Sequence, residues 1–381
     1  MLVIKGGQVL GVGIADVLIE DGAIAGVGSF DAPDAIDATG LVVLPGFVDT
    51  HRHLVHSPLR GAGADLTLNG YLTELSPRMS SLPARDVRAA TLLGAVEALN
   101  AGVTTVLSWG HPGASTVEAE ALAEAGIRAL AGVAPDDARL LADSTGLIGI
   151  AVASWGPRLP LADNARDIAT ARSLGLLTTM HIGREGSVAR LADAGLLGPD
   201  LHFVHGNGSS DDELKMLVDA GAGLTVTPTS ELMMMSGAPV HGRFCDAGGA
   251  PALGVDVVLN STADMFEQMR AALRLERLRG TDVAAGSLLR SASADGARAI
   301  GLGDVTGSLD VGKRADIVLL DGFGHLPPEL IAGGIVATGG VADVRSVLVD
   351  GRVVKRDGVL VDHDLLALRA AVARVARRAL A

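Results

Sequence analysis

Residues 44–53 read Leu-Pro-Gly-Phe-Val-Asp-Thr-His-Arg-His: a sharp Pro45-Gly46 entry, a short apolar run, then two histidines two positions apart. Successive side chains of a strand point to opposite faces, so His51 and His53 share one face, and Asp49 shares it with them. Two neutral imidazoles delivered by one strand end make half of a metal site, whose usual occupant is zinc with three or four N/O ligands. An isolated His-x-His is more often a pair of solvated loop histidines. This pair rises above that reading because further strand-like runs downstream also end in polar residues able to bind metal.

From about Gly46 to Val305, strand-like runs alternate with Ala- and Leu-rich helical ones. That alternation predicts parallel strands joined by helical crossovers, and the length suits a barrel of eight such units, typically about 250 residues. The expected strands are 46–53, 104–109, 127–133, 146–154, 177–181, 201–205, 223–227 and 253–259. Helices are expected at 84–100, 116–125, 165–174, 211–220 and 265–279; the last but one starts cleanly at Asp211-Asp212. A doubly wound open sheet is the alternative, but no Gly-rich phosphate fingerprint follows the first strand.

Outside this region, residues 2–45 alternate apolar runs with turn signals such as Asp21-Gly22, and residues 315–320 and 347–354 have the same texture. A sheet must cover its apolar face, so the two chain ends are expected to pack together. The expected organisation is an α/β protein with a TIM-like (β/α)8 barrel over 46–305. A small β-sandwich domain comes from 1–45 plus 306–361, and a C-terminal helix covers 362–381. That tail carries Arg369, Arg374, Arg377 and Arg378 on an amphipathic pattern, and packing on the parent domain or a sister subunit explains it better than membrane binding.

Composition narrows the partners. Aromatic residues are 2% of the chain and the formal charge is −13, which argues against stacking on single-stranded nucleic acid and against binding a phosphate backbone. A single cysteine, Cys245, excludes an intramolecular disulfide. No apolar run is long enough to span a bilayer, and the N-terminus enters a strand pattern without a basic, then apolar, leader. A cytoplasmic protein acting on a small molecule, with no nucleic acid and no membrane, is expected.

In a barrel of this kind reactive groups sit at the C-terminal strand ends, so the useful question is which polar residue ends each strand. The first gives His51 and His53, the fifth His181, the sixth His205 with His202 nearby, the seventh Glu231 and the eighth Asp256. The string P-G-F-V-D-T-H-R-H resembles the first barrel strand of the amidohydrolase superfamily, in its cytosine-deaminase and triazine-hydrolase branch. Residues 291–302 and 307–320 resemble that family's return from barrel to β domain, so nearly the whole chain is covered. The resemblance implies that His51, His53, His181 and Asp256 hold one divalent ion, Zn²⁺ first and Fe²⁺ as the alternative. It also implies that His205 stands beside the water or substrate, and that the protein is a homo-oligomer, a dimer or larger.

A bound zinc lowers the pKa of its water to about 7, giving a nucleophile at neutral pH. Asp256 would take the proton and pass it to a leaving nitrogen. The expected activity is therefore hydrolysis of a C–N bond in a small cyclic, nitrogen-rich compound, most simply deamination. Hydrolysis of a cyclic amide or imine, or dechlorination, is the alternative on the same site. A non-catalytic scaffold is the alternative of another class, and it predicts missing ligand positions, whereas all are filled.

Deaminases of this branch usually carry H-x-x-E on the fifth strand; here Arg184 stands three after His181 and Glu185 one later. A one-residue shift changes the facing, so Glu185 does not simply inherit the role, and Glu231 is a second candidate proton shuttle. Substrate contacts are expected from Arg60 and Tyr71 in the loop after the first strand, from His111 after the second, and from Met233 in the Met233-Met234-Met235 run beside Glu231. His56, His241, His325 and His363 receive no role.

Overall fold

Eight short, almost wholly buried strands run parallel to one another in sequence order. They belong to a computed structural model that describes residues 1–31, 34–111, 113–141 and 146–381. Five strands precede the barrel: β1 (Leu2–Val9), β2 (Gly13–Glu20), β3 (Ala23–Gly28), β4 (Ala35–Asp37) and β5 (Val42–Pro45). The barrel strands are β6 (Phe47–Arg52), β7 (Val103–Trp109), β8 (Arg128–Val133), β9 (Ile148–Ser154), β10 (Leu177–Ile182), β11 (Leu201–His205), β12 (Gly223–Val226) and β13 (Ala252–Leu253). Residues such as Val106, Val152, Phe203 and Leu224 are fully buried, as expected of a parallel sheet covered by helices. The 84–100 helix falls on its expected residues, and the others start or end within a few residues of expectation.

The eighth strand differs from expectation. Regular pairing stops after Leu253, because Asp256 adopts a left-handed backbone (φ 64°) that no extended strand can carry. The barrel nonetheless closes there: the Asp256 N–H donates to the His51 carbonyl (2.8 Å) and the Asp256 carbonyl accepts from the His53 N–H (2.9 Å). Closure excludes the open-sheet alternative. It also stitches both histidines and the aspartate into one seam. Gly254 permits the approach, since a Cβ there would come 2.9 Å from the His51 backbone.

Below the seam the barrel interior is crossed by a polar chain. Thr179 Oγ1 meets His202 Nδ1 (2.9 Å), His202 Nε2 meets Thr225 Oγ1 (2.6 Å), and Thr225 meets Thr50 (2.6 Å). Burial, with the neighbouring His51 imidazole working in the same direction, lowers the His202 imidazole to about 3, so this histidine is a neutral internal bridge.

The chain ends form one nine-stranded sheet with β14 (Ile317–Leu320), β15 (Val344–Val349), β16 (Arg352–Arg356) and β17 (Val359–Leu360). The sheet is mixed, with β1 parallel to β4 and β5 and its other pairs antiparallel. At the expected hairpin, Asp21 (φ 49°) and Gly22 (φ 77°) both take the positive dihedrals of a tight turn. The passage from this sheet into the barrel lies at Gly46, where a Cβ would strike Thr104 at 2.0 Å. Arg128 on β8 holds the two parts together through Asp316 (2.6 and 3.1 Å) and Asp350 (2.9 Å). The C-terminal helix, Leu365–Leu380, packs on the 84–100 helix of the same chain.

Candidate active site

The ends of β6, β10, β11 and the Asp256 seam bring their polar side chains to one place. His51 Nε2 lies 3.2 Å from His181 Nε2 and 3.3 Å from Asp256 Oδ1, and His53 Nε2 lies 3.4 Å from the same oxygen. His51, His181 and His205 form one group of potential ligand atoms within 4.8 Å of one another, and His51, His53 and Asp256 form another. Burial lowers the His51, His53 and His181 imidazoles, so they are neutral and keep lone pairs to donate. Burial alone would raise the Asp256 carboxyl, but the hydrogen bond it accepts from His51 and its place among the imidazoles hold it below the usual carboxylate range. Neutral nitrogens and an anionic oxygen facing one another at these distances are a donor set that a divalent cation fits.

The second row of contacts fixes these groups. Ser230, missed in the sequence, donates to Asp256 Oδ2 at 2.7 Å and so leaves Oδ1 turned to the histidines. Glu231 is fully buried and does not line the cavity. Its Oε1 accepts from the Thr227 N–H (2.7 Å) and meets His205 Nδ1 (3.1 Å). Glu231 therefore stands one hydrogen bond behind His205, not opposite the substrate. Asp49 turns away as well: its Oδ1 accepts from the Val255 N–H (3.0 Å) and its other oxygen lies 3.5 Å from Arg52.

Above the cluster lies a cavity of about 610 Å³. Tyr71 and His111 line it as expected, Tyr71 with its hydroxyl 3.2 Å from His56 Nε2 and His111 with Nε2 2.7 Å from the Met79 carbonyl. Three expected contacts fall elsewhere. Glu185 is exposed and absent from the wall, which Arg184 lines in its place. Arg60 points to Glu97 (3.5 Å) and Met233 faces outward, both bordering a separate groove of about 730 Å³; Met234 and Met235 reach the cavity instead. Helical geometry over 228–234 explains the one-residue error at the methionines, because neighbouring positions on a helix diverge by about 100°.

The sequence reading also passed over both tryptophans. Trp109 ends β7 with its ring centroid 4.1 Å from that of His181, and Trp155 follows β9 at 6.3 Å from Trp109. The same strand-end rule would have found them had it been asked of aromatic residues.

A parallel barrel with imidazoles and one carboxylate gathered at its C-terminal strand ends has the architecture of a metal-dependent hydrolase. The sequence pattern of the Amidohydrolase family matches residues 42–153 and 177–354. A 5-methylthioadenosine/S-adenosylhomocysteine deaminase of Desulforudis audaxviator is 30% identical over 407 residues, covering 95% of this chain and 94% of that protein. An adenosine deaminase structure from Xanthomonas campestris with bound zinc superposes with a TM-score of 0.91 at 25% identity, covering 100% of this chain and 98% of that one. Atrazine chlorohydrolase from Arthrobacter aurescens, complexed with zinc, shares the fold with a TM-score of 0.87 at 21% identity, over 99% and 100% of the chains. The chain belongs to the Amidohydrolase family. It is a hydrolase acting on a carbon–nitrogen bond of a small molecule, with a donor set that fits a divalent metal.

Proposed function

We propose that this enzyme removes an exocyclic amino group from a planar, nitrogen-rich heterocycle, with His51, His53, His181 and Asp256 as metal ligands. The observation that carries the reading is the convergence of those four side chains at the floor of an aromatic-lined cavity. Zinc is the first candidate and iron the second, since imidazole and carboxylate accept both. When bound, the cation supplies Lewis acidity that brings a water's pKa to about 7. Asp256 Oδ1, with Oδ2 held by Ser230, takes the proton of the attacking water and returns it to the departing nitrogen. His205, whose Nδ1 is engaged by Glu231, presents Nε2 to the attacking water. Trp109 and Tyr71 flank the ring and keep bulk water from it.

One observation favours a second reading. No carboxylate lines the cavity after β10, so a ring nitrogen finds no glutamate there to protonate it. Hydrolysis of a cyclic amide or imine, or loss of a ring chlorine, dispenses with that step. Both readings use the same residues, and the gathered donor set counts against a non-catalytic scaffold. We place the enzyme as a cytoplasmic homo-oligomer, to be checked by light scattering and fractionation. No helix among the described residues is long and apolar enough to cross a membrane.

The test is metal analysis of the purified protein, then a screen of zinc- and iron-loaded enzyme for ammonia release and mass change. Purine nucleosides come first, since the relatives are named for them, followed by pterins, pyrimidines, triazines and cyclic ureas. About one metal per chain with ammonia released from a heterocycle is the expected result. Mass change without ammonia selects the second reading, and no metal with no turnover removes both.

A further inference from the structure

We propose that the substrate carries an anionic oxygen group, a carboxylate or a phosphate, on or next to its ring, and that Arg158 and Arg184 grip it. This rests on the deaminase reading above and narrows its substrate class. The chain has 44 acidic against 31 basic residues, so carboxylate partners are plentiful. Arg60, Arg128, Arg172 and Arg270 each meet one. Arg158 and Arg184 line the histidine cavity, and among the described residues neither makes a hydrogen bond or ion pair with a carboxylate. Among the described residues Asp256 is the only acidic one on the same wall, and its oxygens are already engaged by Ser230 and the histidines. The cavity thus presents two positive charges with no free counterion among the described residues.

The two arginines are both exposed where they line the cavity, and they stand on neighbouring loops. Arg158 follows β9 and Arg184 follows β10, strands paired in register with Met180 opposite Ser154. Arg190 straps the loops together, its Nη2 donating to the carbonyls of Pro157 (2.8 Å) and Leu159 (3.4 Å). Gly156 (φ 58°) packs the first loop onto β10 so tightly that a Cβ would lie 2.9 Å from that of Met180. Burial and the Asp256 charge raise the Tyr71 phenol on the same cavity wall, against a hydrogen bond with Ser76 and the Arg158 charge. Trp155 lines the same cavity, half-exposed, and is able to stack on a planar ligand. A guanidinium fork matches carboxylate or phosphate oxygens two at a time. Arg184 also stands where the resemblance expects a glutamate, so the charge offered to the ring is reversed in sign.

The test is ligand binding to the purified enzyme, followed by its intrinsic fluorescence, since both tryptophans of the chain line the cavity. Two matched pairs are titrated: an amino-substituted heteroaromatic carboxylate against its carboxamide, and a nucleoside 5′-monophosphate against its nucleoside. The anion of at least one pair is expected to bind roughly tenfold more tightly or better than its neutral partner, and the pair that discriminates identifies the group. In Arg158→Gln/Arg184→Gln the ratio is expected to fall to about one, with the neutral partner's affinity within about twofold of wild type. Equal affinities in both pairs, or a preference that survives the double variant, overturn the proposal. Ammonia release is scored separately. Discrimination with no ammonia from any heterocycle sinks the deaminase reading alone, and ammonia release without discrimination sinks this inference alone.

Discussion

Asp256 has two oxygens with different partners, and that division gives the most direct residue-scale tests. Oδ1 faces His51 and His53, while Oδ2 accepts from Ser230. Replacing one oxygen by an amide removes the base, so Asp256→Asn should lower kcat by about 10²–10⁴-fold, measured with metal content on the same sample. Full turnover in that variant would take Asp256 out of the mechanism. Ser230→Ala leaves the carboxylate in place but free to rotate. A group that orients a ligand is worth about 10–100-fold, so kcat should fall by roughly tenfold with KM nearly unchanged. If Ser230→Ala lowers only thermal stability and leaves kcat untouched, the hydroxyl is structural.

At the scale of elements, what could be read from the sequence and what could not divide along a physical line. His51, His53, His181, His205 and Asp256 were legible because a parallel barrel presents the ends of distant strands at one face, so a rule about strand ends needs no knowledge of contacts. Glu185, Arg60 and Met233 were not, because they lie on loops or a helix where facing depends on turns the sequence does not display. Ser230 was hidden for another reason: its partner is 26 residues away, and nothing in a lone serine announces it. The same limit concealed Glu118, a nearly buried carboxyl on the 115–125 helix that accepts from the His111 N–H at 2.7 Å, just beyond β7. Burial pushes its pKa from 4.5 up to about 8, against that hydrogen bond. The folded carboxyl therefore keeps a proton that the unfolded chain releases above about 4.5. Its contribution to stability is full below that pH and is lost as pH rises toward about 8. Glu118→Gln keeps an acceptor without the ionisation. Between about pH 5 and about pH 8.5, wild type should lose on the order of 1–3 kcal/mol relative to this variant in urea melts. Parallel pH curves for the two proteins would show that Glu118 is ionised in the native state.

Across the whole molecule, the C-terminal helix reaches the site through one intervening layer. Val372, Val375 and Ala379 join an apolar cluster that also contains Val55 and Leu59, just after His53, and Val257, next to Asp256. The C-terminal helix packs directly on the 54–59 turn and on the 84–100 helix beside it, whose Gly94 lets that helix press on the same turn; a Cβ there would meet Ser57 Oγ at 2.5 Å. That helix carries two nearly buried acids, and the C-terminal helix supplies their cations: Arg378 and Arg374 reach Asp86, and Arg369 reaches Glu97 at 2.8 Å. Removing residues 365–381 would expose apolar side chains worth about 1.5–3 kcal/mol per valine and strand two carboxylates in a half-buried surface. The arginine heads are themselves 41–63% exposed, so solvent screening limits each pair to about 1 kcal/mol. Burial of the valines should dominate, and the truncated protein should melt on the order of 5 °C lower. Because the same cluster backs the turn after His53 and the residue after Asp256, metal should also leave the truncated enzyme faster in a chelator challenge. Arg369→Ala and Arg378→Ala separate the two contributions: each should cost only a fraction of the melting shift and leave metal release unchanged. A truncation that melts like wild type would mean that the tail is an appendage, and that the packing behind His53 is complete without it.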